Sequence, residues 1–325
     1  MKKNTISMLI TALILFAAGF LLTVITLIYT SISKIDIYPG QSKTKPEIGN
    51  TVKTFGDMGY AQGDLLRKIE LTSLVGSVDV LPTDGESRVE FENTDLNNLD
   101  TSFADGVLTV TESQPVGFMG LEVSAEHFGF NGLRQIFRWS NNAKTSKKIT
   151  LYLNPNDFST VLNVTSKVGD VKVRDIDCSE MYIVSAVGDI TVDGCNLTSA
   201  LNVKGDKADV FVRDCHYMQA AVNVTIGDVW ALVTEHKTNL QTMLGSVTVI
   251  TRNTKDDYQL RLSTTIGSIS PFTFENDKKE FSLYSSSGSS LWCQTVLGSI
   301  KLREFDAEKY PQPDYDEYVD LLDLA

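Results

Sequence analysis

The sequence predicts an all-β chain: a parallel β-solenoid, β-helix-like, of about 19-residue coils, preceded by one N-terminal transmembrane helix. Three observations predict it. A 24-residue run near the N-terminus carries no charge. A short glycine motif recurs at an almost constant step. Short stretches of alternating apolar and polar residues, dominated by β-branched side chains, flank each copy of that motif.

The charge-free run is ISMLITALILFAAGFLLTVITLIY, Ile6 to Tyr29. About 20 apolar residues in helix cross a hydrocarbon core of roughly 30 Å, whereas a secretory signal has an apolar region of only about 7–15 residues. The run therefore reads as an uncleaved anchor with the bilayer as its partner. Cleavage at the small residues Ser31 and Ser33 is the alternative. Lys2 and Lys3 precede the run and Lys34, Lys43 and Lys45 follow it, so the charge bias is slight. Long domains translocate largely regardless of charge, which places residues 1–5 in the cytoplasm and the rest outside, as a single-pass protein of the cell membrane. Residues 30–63, with Ser, Lys, Pro and Gly and little periodicity, read as a stalk.

The motif is apolar-Gly-[Asp/Ser]-apolar. It occurs as VGSV at Val75, VGDV at Val168, VGDI at Val187, IGDV at Ile226, LGSV at Leu244, IGSI at Ile266 and LGSI at Leu297, with KADV at Lys207 placing Ala208 in the glycine slot. Markers at 169, 188, 208, 227, 245 and 267 are 19, 20, 19, 18 and 22 residues apart. Each repeat reads as two short strands about a glycine corner, and none holds an amphipathic helical window, which excludes βαβ units. An antiparallel sandwich is the competing architecture. Stacking predicts inward columns: Val171, Ile190, Val210, Val229, Val247 and Ile269; Val173, Val192, Val212, Ala231 and Val249; Leu162, Met181, Leu201 and Val222; and Val164, Ile183, Val203 and Val224. It also predicts an outward amide column of Asn163, Tyr182, Asn202, Asn223, Gln241 and Gln259.

Three segments carry a further pattern: KIELTSLVGSVDVLPTDGESRVEFE from Lys68, DGVLTVTES from Asp105 and the VGDV/VGDI series from Val168. With them the chain resembles the bacterial putative-adhesin family of β-strand repeats, an uncharacterised domain family. The resemblance covers residues 64–303. It implies the right hand of the solenoid, a surface or envelope location, and no catalytic residues to carry over. Residues 112–148 lack the glycine motif and read as an irregular insertion or cap. Residues 304–325 form an acidic tail.

Candidate chemistry is sparse. With 29 Lys+Arg against 41 Asp+Glu, the net charge of −12 repels phosphate backbones, so no nucleic-acid partner is expected. His127, His216 and His236 have no metal-ligand spacing. Asp170, Asp189, Asp209 and Asp228 follow the corner glycines, but calcium-binding solenoids use several Gly and Asp per turn, so no metal or cofactor is assigned. Cys195 and Cys215 fall in one column with Ile176, which favours buried thiols over a disulfide. Lys172, Arg174, Asp193 and Arg213 read as a solvated face and not as the converging carboxylates of a polysaccharide-active enzyme. The candidate binding face is the outward pair Phe211 and Trp230. Taken together, these residues describe a membrane-anchored, non-catalytic envelope protein, an adhesin or scaffold that binds a protein or a glycan. The alternatives are a sensor or regulator acting through its membrane helix, where Thr11, Gly19, Thr23 and Thr26 suit helix packing, and a β-helix enzyme.

Overall fold

The computed structural model describes residues 48–61, 64–112, 147–156, 160–233, 237–251, 258–272, 279–284 and 289–305. The predicted anchor at 6–29, the first part of the stalk, the body of the 112–148 insertion and nearly all of the tail lie outside the described residues. Among the described residues no helix is long and apolar enough to cross a membrane.

The stack is built from coils that each give one strand to each of two 11-stranded sheets. Five coils follow one another in chain order: β8 (Val161–Val168) with β9 (Val171–Arg174), β10 (Asp177–Val187) with β11 (Ile190–Asp193), β12 (Asn196–Lys207) with β13 (Val210–Arg213), β14 (Gln219–Ile226) with β15 (Val229–Val233), and β16 (Lys237–Leu244) with β17 (Val247–Thr251). The even-numbered strands pair in parallel in one sheet and the odd-numbered strands in the other. The predicted inward column is present: Val171, Ile190, Val210 and Val229 are mutual register partners, none more than 1% exposed. Burial of side chains of this size contributes roughly 1.5–3 kcal/mol each. One coil cannot enclose such a column, so the core exists only between stacked neighbours.

Two predicted columns are corrected. Ala220, not Val222, lies beside Leu201, and Val222 lies beside Val203. Both valines are still buried, because a shift of two residues keeps a side chain on the same face of a strand. The same shift breaks the outward amide column. Asn163, Tyr182 and Asn202 continue into Ala221 and Asn239, while Asn223 and Gln241 continue into Gln294.

Both ends depart from a simple parallel solenoid. At the N-terminal end, β2 (Lys68–Val75) and β3 (Ser77–Pro82) sit between the β8–β9 coil and a coil made of β6 (Val107–Glu112) and β7 (Lys148–Leu153). Antiparallel strands close this end. β4 (Arg88–Asp95) pairs with β7, β1 (Ile48–Thr54) with β4, and β5 (Leu99–Ala104) with β6 through an Asp105-Gly106 turn. Both turn residues have positive φ, as a two-residue hairpin requires. At the C-terminal end the order reverses. β18 (Gln259–Ile266) and β19 (Ile269–Pro271) form the outermost coil, and the later β21 (Ser290–Leu297) and β22 (Ile300–Glu304) insert between it and the β16–β17 coil. β20 (Glu280–Leu283) adds antiparallel to β18. The sheets are therefore mixed, and each end is locked by a coil out of chain order. This answers the exposed core and strand edges that an open solenoid end presents.

Two segments read as outside the repeat are placed by this arrangement. Residues 48–61, expected in the stalk, supply β1 and a short 3-10 turn that buries Phe55 and Met58. The insertion leaves from Glu112 and returns at Lys147, between the two strands of one coil, in the slot where other coils have a glycine corner. Glu112 pairs there with Lys147 and also accepts from the Leu74 N–H.

The glycine corners stack with no room for a side chain. A Cβ on Gly188 would lie 2.4 Å from the Gly169 carbonyl oxygen, and one on Gly298 would lie 1.8 Å from that of Gly245. All seven marker glycines have positive φ. A second column inside the corner was not anticipated. Three residues before the marker stand Ser166, Ser185, Thr242, Thr264 and Thr295, each buried and donating to a corner carbonyl at 2.8–3.3 Å. The hydroxyl satisfies a carbonyl that faces away from the strand ladder.

Candidate binding surfaces

The glycine corner carries one continuous polar ladder. Asp170 Oδ1 accepts from the Asp189 N–H at 3.0 Å, Asp189 from Asp209 at 3.1 Å, Asp209 from Asp228 at 2.8 Å and Asp228 from Ser246 at 2.7 Å. Each carboxylate is committed to the backbone of the next coil, so the aspartates join coils. Burial raises the pKa of Asp189 against the lowering effect of its hydrogen bond from Asp209, and the neighbouring Asp170 and Asp209 charges raise it further. No cluster of three potential metal ligands occurs among the described residues.

At the opposite corner Asp175 and Asp214 have left-handed backbone, as does Gly194 between them in the stack. The Asp175 carboxylate lies over the Gly194 Cα, where a Cβ would come within 2.3 Å of Oδ1. Just inside lie Ile176, Cys195 and Cys215, all buried, and the four cysteines are free thiols. Burial pushes the Cys178 thiol up to about 12. Cys215 is raised by its hydrogen bond with Cys195 and by burial. A thiol held protonated is a poor nucleophile and packs as a small hydrophobe.

Phe211 and Trp230 are register partners on β13 and β15, turned away from the core and half-buried. Thr191 and Thr248 flank them in the same column. The next column differs from the predicted solvated face. Asp193 is only 2% exposed, with Arg174 and Arg213 as its neighbours in register, and Arg213 donates to Asp193 Oδ2 at 2.8 Å. The column continues in register from Leu232 to Ile250, both buried. This charge group is a shielded ion pair and leaves no carboxylate free for acid–base work.

The outer face of the other sheet was missed as a candidate. Trp292 on β21 is 38% exposed and Tyr182 on β10 is 39% exposed. The Arg261 guanidinium lies over the Trp292 ring, 5.1 Å from its centroid. Asn202, Asn223, Asn239, Gln241 and Gln294 stand between the two aromatics on alternate, outward positions. The signal was present in the residue types: β14, β16, β18 and β21 contain no Asp or Glu. A separate recess of about 300 Å³ at the N-terminal end is lined by Asp64, Leu65, Arg67, Phe103, Asp105 and Gly106, remote in sequence from both aromatic faces.

Residues 146–291 match the family model described as Toastrack DUF4097. No curated protein matches the chain. Among solved structures, one titled a putative cell adhesion protein from Clostridium sporogenes is 14% identical, with 80% of this chain and 100% of that one covered and a TM-score of 0.34. One titled a putative adhesin from Bacteroides fragilis is 11% identical, with 80% and 99% covered and a TM-score of 0.37. A third, titled a putative adhesin from Parabacteroides merdae, is 11% identical, with 81% and 99% covered and a TM-score of 0.32.

Proposed function

We propose that this chain, whose residues 146–291 form a Toastrack DUF4097 domain, is a non-catalytic binding protein of the cell envelope, an adhesin or scaffold held at the membrane by residues 6–29. The observation that carries the reading is the pair Phe211 and Trp230, in register on neighbouring coils and turned away from the core. The stack buries its aliphatic columns, so recognition falls to side chains that point outward from a rigid lattice. Two adjacent aromatic rings on such a lattice offer apolar contact area that costs little ordering entropy when a protein or glycan binds. The acidic balance of the chain disfavours nucleic acid as that partner. The apolar run at 6–29 supports the anchor, and the weak charge asymmetry around it supports an external domain.

The test uses the full chain in its own membrane. External protease should remove the repeat domain from intact cells, and Phe211→Ala with Trp230→Ala should lower binding of the purified protein to isolated envelope fractions. Binding unchanged in the double variant, with melting unchanged, rejects this face. Protection of the repeat domain in intact cells rejects the location.

A further inference from the structure

We infer that the outer face of the sheet built from β12, β14, β16, β21 and β18 is a binding site for an acidic polysaccharide. The surface is separate from the Phe211–Trp230 pair, and the inference holds or fails independently of that pair.

The argument begins with charge. The chain carries 41 carboxylate side chains against 29 cations. Yet β14, β16, β21 and β18, four eight-residue strands adjacent in the sheet, have none. Lys237 and Arg261 are exposed on them, and Lys204 is exposed on the neighbouring β12. The patch is locally cationic on an acidic protein. Acids lie only at its borders: Asp206 near the end of β12 and Glu180 on β10, which accepts from the Tyr182 hydroxyl at 2.8 Å, on one side, and exposed Glu280 on β20, opposite Ser263, on the other.

The remaining chemistry suits sugar. Asn223, Gln241 and Gln294 run in register across three coils, and Asn202 and Asn239 lie in the adjoining column. Each amide offers both donors and an acceptor, which matches hydroxyl groups. Trp292 lies beside Asn239 on one side and Arg261 on the other, so its ring can pack against the C–H face of a pyranose while the guanidinium reaches a ring carboxylate in bidentate fashion. Neighbouring strands are about 4.8 Å apart, close to the advance of one pyranose along a glycan, so a chain laid across the strands meets the same groups coil after coil. A peptide pairing through its backbone would need a free sheet edge, and this face is the middle of a sheet.

The experiment measures binding of the full chain, in detergent, to polygalacturonate, hyaluronan and heparin, with dextran as the uncharged probe. At least one acidic glycan should bind, more weakly as salt is raised. Lys237→Gln with Arg261→Gln, and separately Trp292→Ala, should each lower that affinity by roughly tenfold or more. Arg261→Lys should lower it less than Arg261→Gln. All substituted positions on this face are exposed, and unchanged melting confirms that the variants fold. Failure of all three acidic glycans to bind, equal binding of dextran, indifference to the substitutions, or capture of protein alone would each overturn the inference.

Discussion

Gly205 and Ala208 stand in each other's usual place. In five other coils a Ser or Thr three residues before the corner donates to a corner carbonyl and the corner itself is glycine. Here the corner is alanine and the earlier position is glycine. A Cβ on Gly205 would lie 2.9 Å from the Ala208 Cβ, so only one of the two positions can carry a side chain. Gly205→Ser should therefore destabilise by about 1–3 kcal/mol through overpacking. Adding Ala208→Gly should recover much of that loss and install the hydroxyl that Ser185 carries in the preceding coil, beside Val224 of the next. Urea denaturation of both singles and the double gives the coupling energy. Strictly additive losses would show that the two positions do not share one space.

The glycine ladder predicts a steep position dependence. Gly298 has φ +152 and faces the Gly245 carbonyl, and it lies in the coil that is inserted between two others. Gly298→Ala would force apart coils on which both end sheets depend, at a cost of more than about 3 kcal/mol or loss of folding. Gly85→Ala, where the nearest atom to a new Cβ is 3.5 Å away, should shift stability by less than about 0.5 kcal/mol. Equal melting of the two variants would remove the close-approach argument.

The repeat was legible because period 2, corner glycine and aliphatic column repeat within each coil, and short-range pattern is what a sequence displays. Val171, Ile190, Val210 and Val229 could be aligned by counting from the marker. The order of the end coils was not legible. β21 follows β18 in the chain yet stands before it in the stack, and no residue within either strand encodes which edge it joins. The outward faces were misread for another reason. Asp193 alternates outward, and alternation gives direction but not shielding, so its burial beside Arg213 is invisible to pattern. The acid-free face beside Trp292 was visible as composition, but only the stacking order turns four separated segments into one surface.

The aspartate ladder should respond to pH with an inverted sign. Burial raises the Asp189 pKa above its unfolded value, so the folded chain binds more protons just above the ordinary Asp range. The penalty of ionising Asp189 is therefore absent at pH below the unfolded value, grows as pH rises through the folded value, and is complete at neutral pH. Asp189→Asn keeps an acceptor for the Asp209 N–H and removes the charge. It should raise Tm at pH 7 by about 1–3 °C, with the difference closing as pH falls toward about 4. A variant less stable at pH 7 than the parent would show that the ionised form, and not the acceptor alone, holds the ladder.

Asp193 offers the last test, because its column has an apolar alternative built in. The carboxylate is nearly inaccessible and takes a 2.8 Å bond from Arg213, with Arg174 on its other side in register. Removing one partner of a shielded pair strands the other, so Asp193→Ala should cost about 3–5 kcal/mol. Leu232 and Ile250, paired in register, are buried along the same column, and that part of the wall is closed by aliphatic packing. Replacing Arg174, Asp193 and Arg213 together with Leu should thus be far less costly than Asp193→Ala, since a well-packed apolar column needs no compensation for desolvated charge. Denaturant midpoints of the two variants decide it. If the triple variant is the less stable, the ion pair contributes net stability here and the column is not interchangeable with its aliphatic continuation.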